Sequence, residues 1–281
     1  MKIKSLITLS TLALLITGTA TGCSGGASAG GGLGLEEKAK GGTLTIGISY
    51  DRPGLGIKNP DGSFKGFDVD VAKYVAAKLG VQESSITWKE APPAQRENLI
   101  QNGQVDYIVN TYSINDARKE RVGFAGPYFL AGQSLLVRAD NTDITGPESL
   151  NGGKKLCSVT GSTPAQNIKK NYSKDAQLQE YDSPSACVEA LKSGAVDAMT
   201  TDDSQLAGYA SVNQGKLKLV GKPFSKESYG IGLKKDDSTG RAKVNDAIEE
   251  MIKDGSWAKA FESNLGPSGY PLPGAPAVDR Y

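Results

Sequence analysis

Residues 102–128 read NGQVDYIVNTYSINDARKERVGFAGPY, and the fold turns on how they are parsed. Asn102-Gly103 is a pairing that ends helices, because these two residue types enter the left-handed conformation at least cost. Val105 to Val109 follows, short and rich in β-branched residues, which predicts a strand. That strand runs into a polar crest, Thr111-Tyr112-Ser113-Ile114-Asn115, and then Arg118. Polar groups and an arginine outside the carboxyl end of a strand are where open α/β sheets hold ligands. A guanidinium there offers a planar donor fork suited to a carboxylate or phosphate. Taken alone, Arg118 fits a solvated place in the charged run Arg118-Lys119-Glu120-Arg121 equally well, so the rest of the chain has to decide.

The same unit returns downstream. NGQVDYIV at 102–109 is echoed by SGAVDAMT at 193–200. One offset relates Gly103 to Gly194, Val105 to Val196 and Asp106 to Asp197, and Thr111 and Asp202 each lie five residues past the shared aspartate. Each half therefore repeats helix, glycine, strand, polar crest. Two similar lobes that face each other would line one cleft with these crests.

Working outward, Thr43 to Ile48 alternates like a half-buried strand. Asp51 to Lys58, with Pro53, Gly54 and Gly56, is a loop at its end. GFDVDVAKYVAAKLG at 66–80 is a helix with Val71, Ala72, Val75, Ala76 and Leu79 on one face. Asp68 and Asp70 stand at its positive end, where the macrodipole favours acids. Ile86 to Lys89 is a strand, Pro92-Pro93 a break, and Gln95 to Gln101 a short helix carrying Arg96. Leu135 to Val137 closes this half as a further strand. In the second half, Lys155–Val159, Leu178–Tyr181, Val196–Thr200 and Leu217–Val220 are strands. Helices follow Gly161-Ser162-Thr163-Pro164, Ser183-Pro184 and Asp202-Asp203. Tyr229 to Leu233 is one more strand, and Thr239 to Leu265 holds two amphipathic helices too few to fold alone. They return to the first half, which makes that lobe discontinuous and the connections between lobes two crossovers, a hinge architecture. The boundaries are 42–138 with 227–266 for the first lobe, 139–226 for the second, and a proline-rich strap at 267–281.

Composition narrows the function. In 281 residues, 32 Lys and Arg balance 31 Asp and Glu, which argues against a nucleic-acid partner. There is no histidine, so histidine triads and histidine metal sites are excluded. Three cysteines without a CxxC spacing cannot build a four-cysteine zinc site, and no cofactor motif is present. The nearest approach to a phosphate-binding loop, GKLKLVGK at 215–222, has the wrong spacing, and no Gly-x-Ser-x-Gly elbow occurs. At the start, Lys2 and Lys4 precede the apolar run Leu6 to Ile16, and small residues lead to Cys23. That is an export signal, residues 1–22, too short in its apolar part to span a membrane. Ala20-Thr21-Gly22-Cys23 resembles the lipobox of acylated proteins, which implies a lipid anchor on the Cys23 sulfur. A flexible Gly/Ser tether, 23–41, would then hold the folded part off the membrane. Export permits a disulfide, and with Cys23 acylated, Cys157 and Cys187 are expected to pair; two buried free thiols are the alternative.

The expected cleft groups share a chemistry. Arg118 suits a carboxylate, with Ser113 and Thr111 adding donors. Ser162 and Thr163 open a helix in the opposite lobe, and Asp202 could hold an ammonium. Thr163 and Asp202 each also fit as plain helix caps. A carboxylate clamp with an ammonium acceptor describes an α-amino acid. Arg96, or less directly Arg52, could reach a second acid group on its side chain.

These residues resemble the family 3 extracellular solute-binding proteins of ABC importers, over roughly residues 42–266. GFDVDVAKYVAAKLG, the 102–128 stretch and SVTGSTPA at 158–165 carry the likeness. PGLG at 53–56, FAGPYFLAGQSLLVR at 124–138, AVDAMTTDDSQLAGYA at 195–210 and YGIGL at 229–233 narrow it toward actinobacterial glutamate-binding lipoproteins. The resemblance implies a two-lobed α/β fold of the type II periplasmic-binding-protein kind, without catalysis. It also implies a monomer at the outer face of the cell membrane that works with a membrane permease and a separate ATPase. It gives Arg118 the α-carboxylate, with Ser113 and Thr163, Asp202 the α-ammonium, and Arg96 the side-chain carboxylate. One departure stands out: Asn115 occupies a position where the family usually has threonine. Two rivals remain, a sensor lipoprotein for a signalling partner and a dehydratase-like enzyme on the same fold. Glutamate, aspartate, glutamine and asparagine are not separated by the sequence.

Overall fold

The structure, a computed structural model, describes residues 33–172 and 176–281. The export signal, Cys23 and the tether up to residue 32 lie outside the described residues. Two five-stranded sheets organise the rest. The first has the order Ile86–Glu90, Leu44–Ile48, Tyr107–Ile108, Glu227–Leu233, Gly123–Ala131. The second has the order Gln177–Tyr181, Lys155–Val159, Ala198–Asp202, Gln133–Arg138, Leu217–Val220. In each, the first three strands are parallel and the fourth runs antiparallel to both neighbours. The two sheets are thus the same construction made twice.

The sequence echo marks equivalent places in them. Gly103 and Gly194 both have left-handed backbones, φ 64° and 78°, where a side chain would be strained. Three residues on, the aspartates make one bridge twice. Asp106 Oδ2 accepts from the Thr45 N–H at 2.7 Å, and Asp197 Oδ2 accepts from the Lys155 N–H at 2.8 Å. Each carboxylate ties the start of the central strand to the start of its parallel neighbour.

Both faces of both sheets are covered. Successive strand residues point to opposite sides, so Tyr107 joins one apolar cluster of the first lobe and Ile108 the other. In the second lobe Met199 and Ala198 divide in the same way. Helices Ser238–Lys253 and Ser256–Asn264 pack beside Phe67–Lys78 in the first lobe. Cys157 and Cys187 form a disulfide that ties the Lys155–Val159 strand to the Pro184–Ser193 helix.

Two boundaries differ from the sequence reading. The strand Gln133–Arg138 belongs to the second sheet, paired with Ala198–Asp202 and Leu217–Val220. The first crossover therefore falls at Gly132, not at residue 138. Its apolar run could serve either core, and only non-local pairing assigns it. Nor does the tether extend to residue 41, because Leu35–Lys40 is a helix. Leu35 and Ala39, one turn apart, enter the first core, and Lys38 forms an ion pair with Asp106 at 2.5 Å. The two crossovers lie side by side: the Gln133 N–H donates to Ser225 Oγ at 3.0 Å, and the Phe224 N–H donates to the Gln133 carbonyl at 2.9 Å. Beyond the short turn Gly266–Ser268 the tail has no helix or strand. It lies along the first lobe, where Arg280 pairs with Asp246 and Glu249 and the Asp279 N–H donates to the Gly126 carbonyl.

Candidate functional site

The crest after Tyr107–Ile108 is bent by Thr111, which has φ 43°. For a β-branched residue this conformation is costly and must be held by its surroundings. The holding group is Asp68, fully buried in the first turn of the Phe67–Lys78 helix. Asp68 Oδ2 accepts from the Thr111 N–H at 2.9 Å, and Asp68 Oδ1 accepts from Tyr128 Oη at 2.8 Å. Burial raises its carboxyl to about 6 even against those bonds and the charge of Arg52. The sequence reading gave Asp68 only a helix-end role. Its burial and its bond to the crest are tertiary facts that the local pattern does not carry.

Past the crest, Asn115 caps the short helix Asp116–Lys119, its Oδ1 accepting from the Arg118 N–H at 2.9 Å. Asparagine thus does the capping a threonine would do. Arg118 is almost buried. Its Nη1 donates to the Ser113 carbonyl at 2.7 Å, and its Nε lies 3.4 Å from Glu97 Oε1. Its Nη2 donates to the Gly161 carbonyl of the second lobe at 3.3 Å. The solvated alternative for Arg118 is thereby removed.

Arg96 and Arg118 both stack on Tyr112, each guanidinium 5.0 Å from the ring centre. Burial lowers Arg96 to about 9, with repulsion from Arg52 and Arg118 adding to it. Arg52 is also buried and donates through Nη1 to Asn110 Oδ1. Its Nε is buried without a partner.

The second lobe supplies the opposite wall. Ser162 is the cap of the helix that begins at Thr163, its Oγ accepting from the Ala165 N–H at 3.3 Å. Thr163 is therefore not the cap. Its hydroxyl donates to Glu227 Oε2 at 3.1 Å and lies 3.5 Å from Ser113 Oγ. Asp202 occupies a cap position but accepts no backbone N–H from its helix. Its Oδ2 accepts from Tyr229 Oη at 2.6 Å and from Gln205 Nε2 at 3.1 Å, while Oδ1 is buried with no partner. Burial, and then the charge of Glu227, raises Asp202 to about 7.

One narrow cleft between the lobes gathers the binding candidates from both walls. Arg52, Arg96, Thr111, Ser113 and Arg118 come from the first lobe, and Ser162, Thr163, Asp202 and Gln205 from the second. Every residue singled out in the sequence as a cleft candidate is present. Gln205 was missed, as were Tyr229 and Glu227. Gln205 stands one turn after Asp202, and that spacing is the sequence signal that could have found it. Chemically the cleft offers several cations on one side and a lone carboxylate on the other, a pattern for a small dipolar ligand with excess negative charge. No cluster of metal-ligating side chains occurs among the described residues.

Residues 44–267 match the bacterial extracellular solute-binding proteins, family 3. The chain belongs to this family. Among its relatives, the glutamate-binding protein GluB of Corynebacterium efficiens is 51% identical over 245 residues, covering 84% of this chain and 83% of that one. The glutamine-binding protein GlnH of Bacillus subtilis is 38% identical over 220 residues, covering 78% and 80%. Among solved structures, an ancestral arginine-binding protein bound to glutamine superposes with a TM-score of 0.73 at 37% identity, covering 80% of this chain and 98% of that one. The chain has the two-lobed type II periplasmic-binding-protein fold, which the solved structure shares.

Proposed function

We propose that this family 3 protein is the membrane-anchored capture subunit of an ABC importer for a polar L-amino acid, with glutamate preferred. The observation that carries the reading is the charge arrangement of the cleft: Arg52, Arg96 and Arg118 in one wall, and Asp202 with a buried unpartnered oxygen in the other. Arg118 takes the α-carboxylate as a planar fork, helped by Ser113, Thr111 and the Thr163 hydroxyl. Ser162 sets the helix that presents Thr163. Asp202 holds the α-ammonium. Arg96 and Arg52 neutralise the side-chain carboxylate, which a glutamine amide could not exploit as well. The glutamate-binding relative at 51% identity supports that choice.

A ligand that touches both walls favours the arrangement with the lobes together and shifts the population toward it. That arrangement docks on the permease, a separate ATPase drives transfer, and no bond of the ligand is changed. Acylation of Cys23 anchors the protein, a monomer, at the outer face of the membrane. The test is calorimetric titration with L-glutamate, L-aspartate, L-glutamine and L-asparagine. Glutamate is expected to bind tightest, and Arg96→Ala to abolish its advantage over glutamine. Tight glutamine binding indifferent to Arg96 would discard the side-chain assignment. Failure of all four ligands to bind would discard the amino-acid reading.

A further inference from the structure

Among the described residues, three buried side-chain polar atoms lack a partner: Arg52 Nε, Asp202 Oδ1 and Gln205 Oε1. All three belong to residues of the cleft. Leaving such atoms unpaired costs the full desolvation of each, so a protein keeps them where something else completes the bond. Arg52 Nε is a donor and asks for an acceptor. Asp202 Oδ1 and Gln205 Oε1 are acceptors, and both ask for donors.

The Gln205 side chain is fixed by its neighbour. Its amide reaches Asp202 Oδ2 at 3.1 Å, the oxygen that also accepts from Tyr229 and is an acceptor in the ionised form that the ammonium requires, so the nitrogen faces Asp202. The oxygen is therefore the free end of the amide. Gln205 is buried, on the Asp203–Val212 helix one turn from Asp202. Asp202 Oδ2 already holds two donors, from Gln205 and Tyr229.

We propose that Gln205 is a ligand-binding residue that, with Asp202, makes the site select a primary ammonium. An ammonium has three N–H donors and can serve both acceptors at once. A hydroxyl in its place has one proton and leaves one acceptor bare. A keto oxygen has none and sets its lone pairs against the Asp202 carboxylate. The selected class is thus α-amino acids over the otherwise identical α-hydroxy and α-keto diacids. This inference rests on the amino-acid reading and adds to it the rule by which nitrogen is told from oxygen.

The experiment uses the full chain in detergent and compares L-glutamate with (S)-2-hydroxyglutarate and 2-oxoglutarate, in the wild type and in Gln205→Met and Gln205→Ala. Thermal melts establish that each variant is folded, and two variants guard against a failure of one. The wild type is expected to prefer glutamate strongly and to bind 2-oxoglutarate least. In the variants, glutamate affinity falls about tenfold or more, as for loss of a bond to a charged group. Hydroxyglutarate affinity falls much less, so the ratio of the two shrinks. If Gln205 served only to orient Asp202, both ligands would lose alike, because each donates to Asp202, and the unchanged ratio would overturn the proposal. Absence of glutamate binding by the wild type would instead remove the amino-acid reading, and this inference with it.

Discussion

Asn115 decides where Arg118 points, because the Asn115 cap fixes the first turn of the helix that carries the arginine. Asn115→Ala should cost about 1 kcal/mol of stability, the usual loss for a missing cap. It should also weaken glutamate binding, since the guanidinium loses its anchor. Asn115→Thr should leave both within about 0.5 kcal/mol, because threonine is only slightly poorer at this position. Chemical denaturation and calorimetry on the two variants would check this, and a threonine variant as damaged as the alanine one would refute the capping account. Much of the site was legible at this scale. Arg118, Asp202, Ser113 and Thr163 could be read from crest position and residue chemistry. Asp68 and Gln205 could not, because what marks them is the partner each side chain has or lacks after folding.

At the scale of elements, the Asp203–Val212 helix contains Gly208, where alanine would ordinarily be the better residue by about 0.5–1 kcal/mol. The reason for glycine is across the cleft. A Cβ at 208 would fall 2.1 Å from the Pro53 carbonyl oxygen of the first lobe. The same loop is fastened nearby, with the Tyr209 hydroxyl donating to the Asp51 carbonyl at 2.8 Å and Ser185 Oγ donating to Asp51 Oδ2 at 2.7 Å. Gly208→Ala should therefore keep or raise the melting temperature of the free protein while lowering glutamate affinity at least tenfold. Opposite signs in the two readouts would identify a lobe-contact defect rather than a folding defect. Unchanged affinity would mean that the lobes need not meet here for binding. The sequence disclosed most helices and strands because their periodicity is local. It misplaced Gln133–Arg138 because strand order is not. Leu35–Lys40 was hidden by the Gly-rich stretch before it, although Glu36, Glu37, Lys38 and Lys40 are arranged to suit its dipole.

For the whole molecule, two buried carboxyls link stability, ligand and pH. Asp202 at about 7 and Asp68 at about 6 both lie above the ordinary value of 3.8, so the folded chain holds protons that the unfolded chain has already released. Stability from these groups is full below about pH 4 and is lost as pH rises toward 7, because the native state binds the extra protons. The free protein should therefore melt at a lower temperature at pH 7.5 than at pH 5.5. Glutamate should act in the opposite sense. Its ammonium requires ionised Asp202, so binding below pH 7 must first expel a proton, at a cost of up to about tenfold in affinity per pH unit. The rise in melting temperature caused by a fixed glutamate concentration should thus grow between pH 5.5 and 7.5 while the free protein's own melting temperature falls. Crossing trends of this kind cannot come from a general acid or alkaline sensitivity of the fold, which would move both melts together. A ligand-induced shift that is larger at pH 5.5 would mean that the ammonium is not held by Asp202, and the orientation of the ligand in the cleft would have to be reversed.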